Sequence, residues 1–141
     1  MRARLSLLIA LSLAGSAGCE TFGPNQCDDS LAANPPVSYA GGKTQDGVYT
    51  SSSWTGPLLN FPGGQRYTLL HKLQATPTLI ETYLSFDVDG TTDGGSLAQS
   101  TGNQVEIVGV DDTTIQIAND SCSAYYVLVV ASVGPALPNP P

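Results

Sequence analysis

TLIETYLSFDVDG, residues 78–90, decides how this chain folds. Ile80, Thr82, Leu84, Phe86 and Val88 fall on one side of an extended segment, and Glu81, Tyr83, Ser85 and Asp87 on the other. A two-residue period of this kind belongs to a strand with one face on a core. The pattern recurs outward in both directions. Downstream, NQVEIVGV (103–110) sets Val105 and Ile107 opposite Glu106. Asp111-Asp112 turns the chain into TTIQIAN (113–119), with Ile115 and Ile117 facing in. AYYVLVVAS (124–132) is apolar on both faces, which predicts a central strand covered on each side, with Tyr125 and Tyr126 divided between core and sheet surface. Upstream, RYTLLHKL (66–73), GPLLNFPGG (56–64, closed by a Pro-Gly-Gly turn) and GVYTSSSW (47–54) supply further short apolar runs. No segment has helical periodicity. Six to seven short strands separated by turn signals predict an all-β fold, a single antiparallel β-sandwich over residues 27–133.

The ends of the chain differ from this body. Arg2 and Arg4 precede an apolar run at residues 5–14, followed by Gly15, Ser16, Ala17 and Gly18. The run is shorter than the roughly 20 residues that cross a bilayer, and it reads as a cleavable export signal over residues 1–18. Ser16-Ala17-Gly18-Cys19 resembles a bacterial lipobox, although Ser16 stands where that family usually has Leu. The resemblance implies acylation of Cys19, and Glu20 in place of the Asp that retains some lipoproteins in the inner membrane implies the outer membrane. Ordinary cleavage after Ala17 is the alternative. The chain has three cysteines. Lipidation of Cys19 would leave Cys27 and Cys122 as an even pair in an oxidising compartment where disulfides persist. Residues 19–26 then read as a tether and 27–47 as ordered loop. Residues 134–141 read as a Pro-rich tail.

Loss of residues 1–18 removes Arg2 and Arg4 and takes the net charge from −7 to −9, leaving only Lys43, Arg66 and Lys72 as bases. That balance excludes nucleic acid as a partner, since phosphate binding calls for Lys and Arg clusters. It equally excludes docking on anionic lipid by charge, so the membrane is expected as a partner only through the acyl anchor.

Catalytic signals are lacking. There is one histidine, His71, inside a predicted strand, where a hydrogen-bonded structural role is expected. No nucleophile elbow, phosphate-binding loop or dinucleotide fingerprint occurs. Glu81 and Glu106 both fit the polar faces of amphipathic strands, so no catalytic residue is assigned. Two groups point to binding. Tyr49, Trp54 and Tyr83 fall where polar faces or strand ends are expected, and aromatic faces of that kind stack on sugar rings. Asp87, Asp89 and Asp93 in DVDGTTDGG carry the oxygen ligands that calcium takes, although the spacing is not that of an EF-hand and an acidic turn explains the same residues.

The run from His71, Leu73 and Pro77 through Ile80 to Val88, Val105 to Val110, Ile115 to Ile117 and Tyr125 to Ala131 resembles the small sandwiches of H-type lectins and of some phage tail-fibre receptor-binding tips. The resemblance covers residues 66–132 and implies sugar binding. It carries over no individual binding residue, because the Trp typical of the last lectin strand is absent. The resulting expectation is a non-catalytic envelope or surface lipoprotein that binds carbohydrate. A structural lipoprotein contacting an envelope protein is the first alternative and a small hydrolase the second.

Overall fold

The computed structural model describes residues 33–100 and 102–134. In chain order its strands are β1 (Val37–Tyr39), β2 (Lys43–Gln45), β3 (Val48–Thr50), β4 (Leu59–Phe61), β5 (Arg66–Leu70), β6 (Leu79–Ser85), β7 (Ala98–Gln99), β8 (Glu106–Val110), β9 (Thr114–Ala118) and β10 (Tyr125–Ser132). Two single 3-10 turns, Thr92–Gly94 and Gly102–Gln104, are its only helical elements among the described residues. Each of the seven expected runs contains a strand. β1, β2 and β7 are additional, because segments of two or three residues are too short to show a readable period. The export signal, the tether, Cys19, Cys27 and the tail beyond Gly134 lie outside the described residues.

The strands make two sheets. One has the order β1-β5-β9-β8; the other has β2-β3-β10-β6-β7, with β4 also paired to β10. Every pairing is antiparallel except β1 with β5. Both sheets bury their inner faces in one cluster. Leu69, Ile115 and Ile117 come from the smaller sheet, and Tyr49, Phe61, Leu84, Val127 and Val129 from the larger. This shared core makes the two sheets a sandwich.

β10 runs through the middle of the larger sheet. β6 pairs along almost its whole length on one side. On the other side β3 covers Val130 to Ser132 and β4 covers Tyr125 to Val127. β3 and β4 are therefore one strand line interrupted by a detour, residues 51–58, that stands opposite only Leu128 and Val129. Ser51 repairs the interruption: its N–H donates to Val129 O and its Oγ accepts from Val129 N–H, both at 2.9 Å. Leu128 is fully buried yet absent from the inter-sheet cluster. It faces outward, as the apolar-on-both-faces reading of residues 124–132 requires, and the detour lies over it.

Three side-chain placements differ from those expected. Tyr49 is 1% exposed and belongs to the core. In GVYTSSSW both Val48 and Tyr49 can claim the inner face, and the pairing of Tyr49 with Ala131 settles it in favour of Tyr49. Phe86 is 83% exposed. β6 stops at Ser85, whose Oγ accepts from Asp87 N–H at 2.9 Å, and the turn that begins there carries Phe86 past the end of the sheet. Ile107 is 42% exposed because β8 is an edge strand with a neighbour on one side only. Next to it Val108 forms a bulge, the register passing from Ile107 opposite Ile117 to Gly109 opposite Gln116. The extra residue exchanges the faces, so that Val110 rather than Gly109 packs on the core.

The β8–β9 turn is built by one carboxylate, as the Asp111-Asp112 turn reading expects. Asp111 Oδ1 accepts from the N–H groups of Thr113 and Thr114 at 2.8 and 2.6 Å and from Thr113 Oγ1 at 2.8 Å; Oδ2 accepts from Thr114 Oγ1 at 2.9 Å. These bonds, the Thr113 hydroxyl first, hold its carboxyl well below the usual carboxylate range. A group depressed on folding contributes stability above its unfolded pKa, about 3.9, and that stability is lost as pH falls toward the folded value. Asp111→Asn should therefore lower the urea midpoint at pH 7, and the gap to the parent should narrow below about pH 4. An equal gap at both pH values would disprove the linkage.

Candidate functional site

The detour at 51–58 and the loop that follows β6 fasten onto each other. Leu58 N–H donates to Val88 O at 2.8 Å. Trp54 O accepts both from Thr91 N–H at 3.0 Å and from Thr91 Oγ1 at 3.1 Å, and Thr92 Oγ1 donates to Thr55 O at 3.1 Å. The backbones approach so closely that two glycines are required. A Cβ on Gly56 would lie 2.6 Å from Val88 O, and one on Gly90 would lie 2.4 Å from Trp54 O; both residues have positive φ. The peptide Gly56-Pro57 is cis.

This clasp sets Trp54 across the outer face of the sheet. Its ring meets that of Tyr83 edge-on, with centroids 4.8 Å apart and planes at 64°. Tyr83 stands on β6 directly beside Leu128, so the aromatic pair lies on the outer face of the larger sheet next to β10. Trp54 is nevertheless 44% exposed. Tyr83 OH donates to Glu81 Oε2 at 3.2 Å. Burial first, and then the Glu81 carboxylate, push the Tyr83 phenol upward and keep it protonated. The result is a fixed aromatic pair with a phenol and a carboxylate at its margin.

On its other side the detour borders an open groove of about 520 Å³, lined by Tyr39, Lys43, Ser51, Ser52, Ser53 and Pro57 among others. That volume is within the roughly 300–1,000 Å³ common for small-molecule sites. Tyr39 OH donates to Ser51 O at 2.9 Å, whereas Ser52 Oγ is buried with no hydrogen-bond partner.

Of the residues singled out by sequence, Trp54 and Tyr83 come together, and the acidic loop is fastened directly to the Trp54 detour. Tyr49 is in the core and does not join them. Asp87 works as a turn residue, its Oδ1 accepting from Asp89 N–H at 3.0 Å. Asp93 has a left-handed backbone, φ 52°. Among the described residues no group of three or more His, Cys, Asp or Glu side chains could hold a metal ion. Cys122 is disulfide-bonded.

His71 is fully buried with both ring nitrogens used: Nδ1 accepts from Leu73 N–H at 3.1 Å, and Nε2 lies 3.2 Å from Asp111 O. An accepting Nδ1 assigns the proton to Nε2, which donates to the carbonyl. Its backbone O also accepts from Thr44 Oγ1. This is the structural role expected. Glu81 and Glu106 lie on different sheets. Glu106 instead faces Asp120, whose hydrogen bond and charge push its carboxyl up against the opposing pull of Arg66; Arg66 and Asp120 form an ion pair at 3.6 Å.

No protein-family model, no curated protein and no solved structure matches this chain.

Proposed function

We propose that this protein is a non-catalytic, lipid-anchored envelope module that binds carbohydrate at the Trp54–Tyr83 pair. The observation that carries the reading is a sole tryptophan left 44% exposed although its loop is hydrogen-bonded in place and its ring is set against Tyr83. A platform held rigid before binding loses little entropy when a ring stacks on it. Tyr83 OH, Glu81 and the serines of the adjoining groove offer hydroxyl partners around it. The resemblance of residues 66–132 to H-type lectins supports the same ligand class, and the lipobox-like Ser16-Ala17-Gly18-Cys19 supports export to an outer membrane. No described helix is long and apolar enough to cross a membrane.

The test is a glycan array probed with the purified full-length protein, in calcium and in chelator. Saccharide binding should appear, and Trp54→Ala should weaken it by about 2 kcal/mol, roughly thirtyfold, while the protein stays folded. Dependence on calcium would make Asp87, Asp89 and Asp93 ligands. Silence of a folded protein across the array would reject carbohydrate. The edge strand β8, which presents Ile107 and Val108 at 42% and 43% exposure, favours a second reading, contact with an envelope protein along that edge. Crosslinking through β8 in intact envelopes would then be the measurement.

A further inference from the structure

Phe86 stands at the rim of a separate pocket at the open end of the sandwich. The pocket holds about 180 Å³ and is walled by Leu84 and Tyr125 from the inner faces of β6 and β10, by Gln99 and Ser100 at β7, and by Gln104 from the 3-10 turn before β8. Phe86 lies against the Tyr125 ring with centroids 5.3 Å apart and planes tilted by 47°. Its exposure, 83%, is the highest among the large apolar side chains described. Three properties limit what can enter. The volume is well below the roughly 300–1,000 Å³ of sites that enclose a whole small molecule, so the pocket takes one ring. No lining residue carries a formal charge, so nothing there balances an ionised ligand, and the chain's excess of acidic residues opposes an anion. Ser100 Oγ is buried without a hydrogen-bond partner, although Ser100 N–H is used by Thr82 O at 2.8 Å. Gln104 Nε2 reaches Tyr125 OH only at 3.4 Å.

An apolar wall, an exposed aromatic face and an unused buried hydroxyl describe a site for a neutral ring bearing hydroxyl groups. We infer that this pocket is a second carbohydrate subsite that takes a single neutral pyranose residue. The ring's C–H face lies on Phe86, and its hydroxyls meet Ser100 Oγ and the amides of Gln99 and Gln104. The inference rests on the carbohydrate reading given above but uses none of the Trp54 platform. Because Tyr83 stands on β6 against Trp54 whereas Phe86 follows the end of that strand and packs against Tyr125, the two sites are separable by mutation.

The experiment is amide NMR on the full-length protein, in a detergent without a sugar headgroup, titrated with glucose, galactose, N-acetylglucosamine and, as the charged control, glucuronate. Neutral sugars should shift the amides of Ser100 and Gln104, and glucuronate should shift them less. Phe86→Ala, which removes a solvent-exposed ring, should weaken that response roughly two- to tenfold. Trp54→Ala should leave it unchanged. Ser100→Ala should weaken it as well while the amide spectrum stays that of the folded parent. Sugar-induced shifts confined to the Trp54 and Thr91 region, insensitive to Phe86→Ala, would overturn the second site and spare the first. Equal response to glucuronate would overturn the assignment of a neutral ligand. No response at either region would overturn both sites together.

Discussion

Tyr49→Ala should lower the unfolding free energy by about 3–5 kcal/mol, the usual cost of deleting a buried aromatic ring. Domains of this size have about 5–15 kcal/mol in total, so the variant should sit near the limit of folding. Tyr49 is 1% exposed and packs with residues of both sheets. Its ring meets His71 edge-on at 6.3 Å between centroids, and its OH reaches Gly41 O only at 3.4 Å. Burial first pushes the phenol up, so it stays neutral at any pH at which the protein is handled. Most of its worth is therefore area and packing. Tyr49→Phe removes one long hydrogen bond and should cost about 1 kcal/mol or less. Urea unfolding followed by circular dichroism separates the two variants. A sugar-binding role would give the reverse pattern, with binding lost and the midpoint unchanged in Tyr49→Ala, and that result would return Tyr49 to the surface site.

Tyr49 also shows where sequence reading stops. Alternation identified strands at residues 79–85 and 114–118 because each has a buried and a solvated face, and the physics of a half-buried strand writes that difference directly into the residue types. It also read residues 124–132 correctly as covered on both sides, with Leu128 buried under the detour. GVYTSSSW lacks the contrast: Val48 and Tyr49 are adjacent and both apolar, and only the partner strand decides between them. Phe86 failed for a different reason. Its parity is that of Leu84, but parity has meaning only while the strand continues, and Ser85 ends it. The β8 bulge reverses parity within a strand, which no count of residues reveals. For the candidate site, sequence supplied Trp54, Tyr83 and the acidic loop one by one. That Trp54 and Tyr83 meet depends on β3 and β4 sharing one side of β10, a long-range pairing. The two glycines that let the loops touch, Gly56 and Gly90, could be read only as turn residues.

Asn119 carried no signal in the sequence beyond ending a predicted strand, yet its replacement is expected to be among the costliest in the protein. It is fully buried just after β9 in the smaller sheet, and its Nδ2 donates across to Phe61 O in the larger sheet and to Ser123 O, both at 2.9 Å. Oδ1 accepts from Ser121 N–H at 3.0 Å and from Ser121 Oγ at 2.7 Å. The two donors of the amide and two lone pairs of its oxygen are thus all engaged. Its main chain adds bonds to Gln65 O at 2.9 Å and from Gly64 N–H at 2.8 Å. One side chain therefore joins the sheets and shapes the turn that leads to Cys122. Asn119→Ala leaves carbonyls and an N–H without partners inside the protein, which should cost about 3 kcal/mol and, at about 4–8 °C per kcal/mol, lower Tm by on the order of 15 °C or more. Asn119→Asp keeps the shape but turns a carboxylate oxygen toward the two carbonyls that the amide nitrogen served. Repulsion and burial then raise the new group's folded pKa above its unfolded value. Its stability is consequently lost as pH rises through that folded value and regained on acidification, when a protonated carboxyl again supplies one donor. Thermal unfolding at pH 5 and pH 7.5 should show Asn119→Asp gaining relative to Asn119→Ala at the lower pH. If both variants unfold within a few degrees of the parent, the Asn119 bonds do not hold the sheets together, and the connection between them rests on the apolar core and on the other inter-sheet hydrogen bonds, such as Tyr39 OH to Ser51 O and Tyr67 OH to Asn60 O.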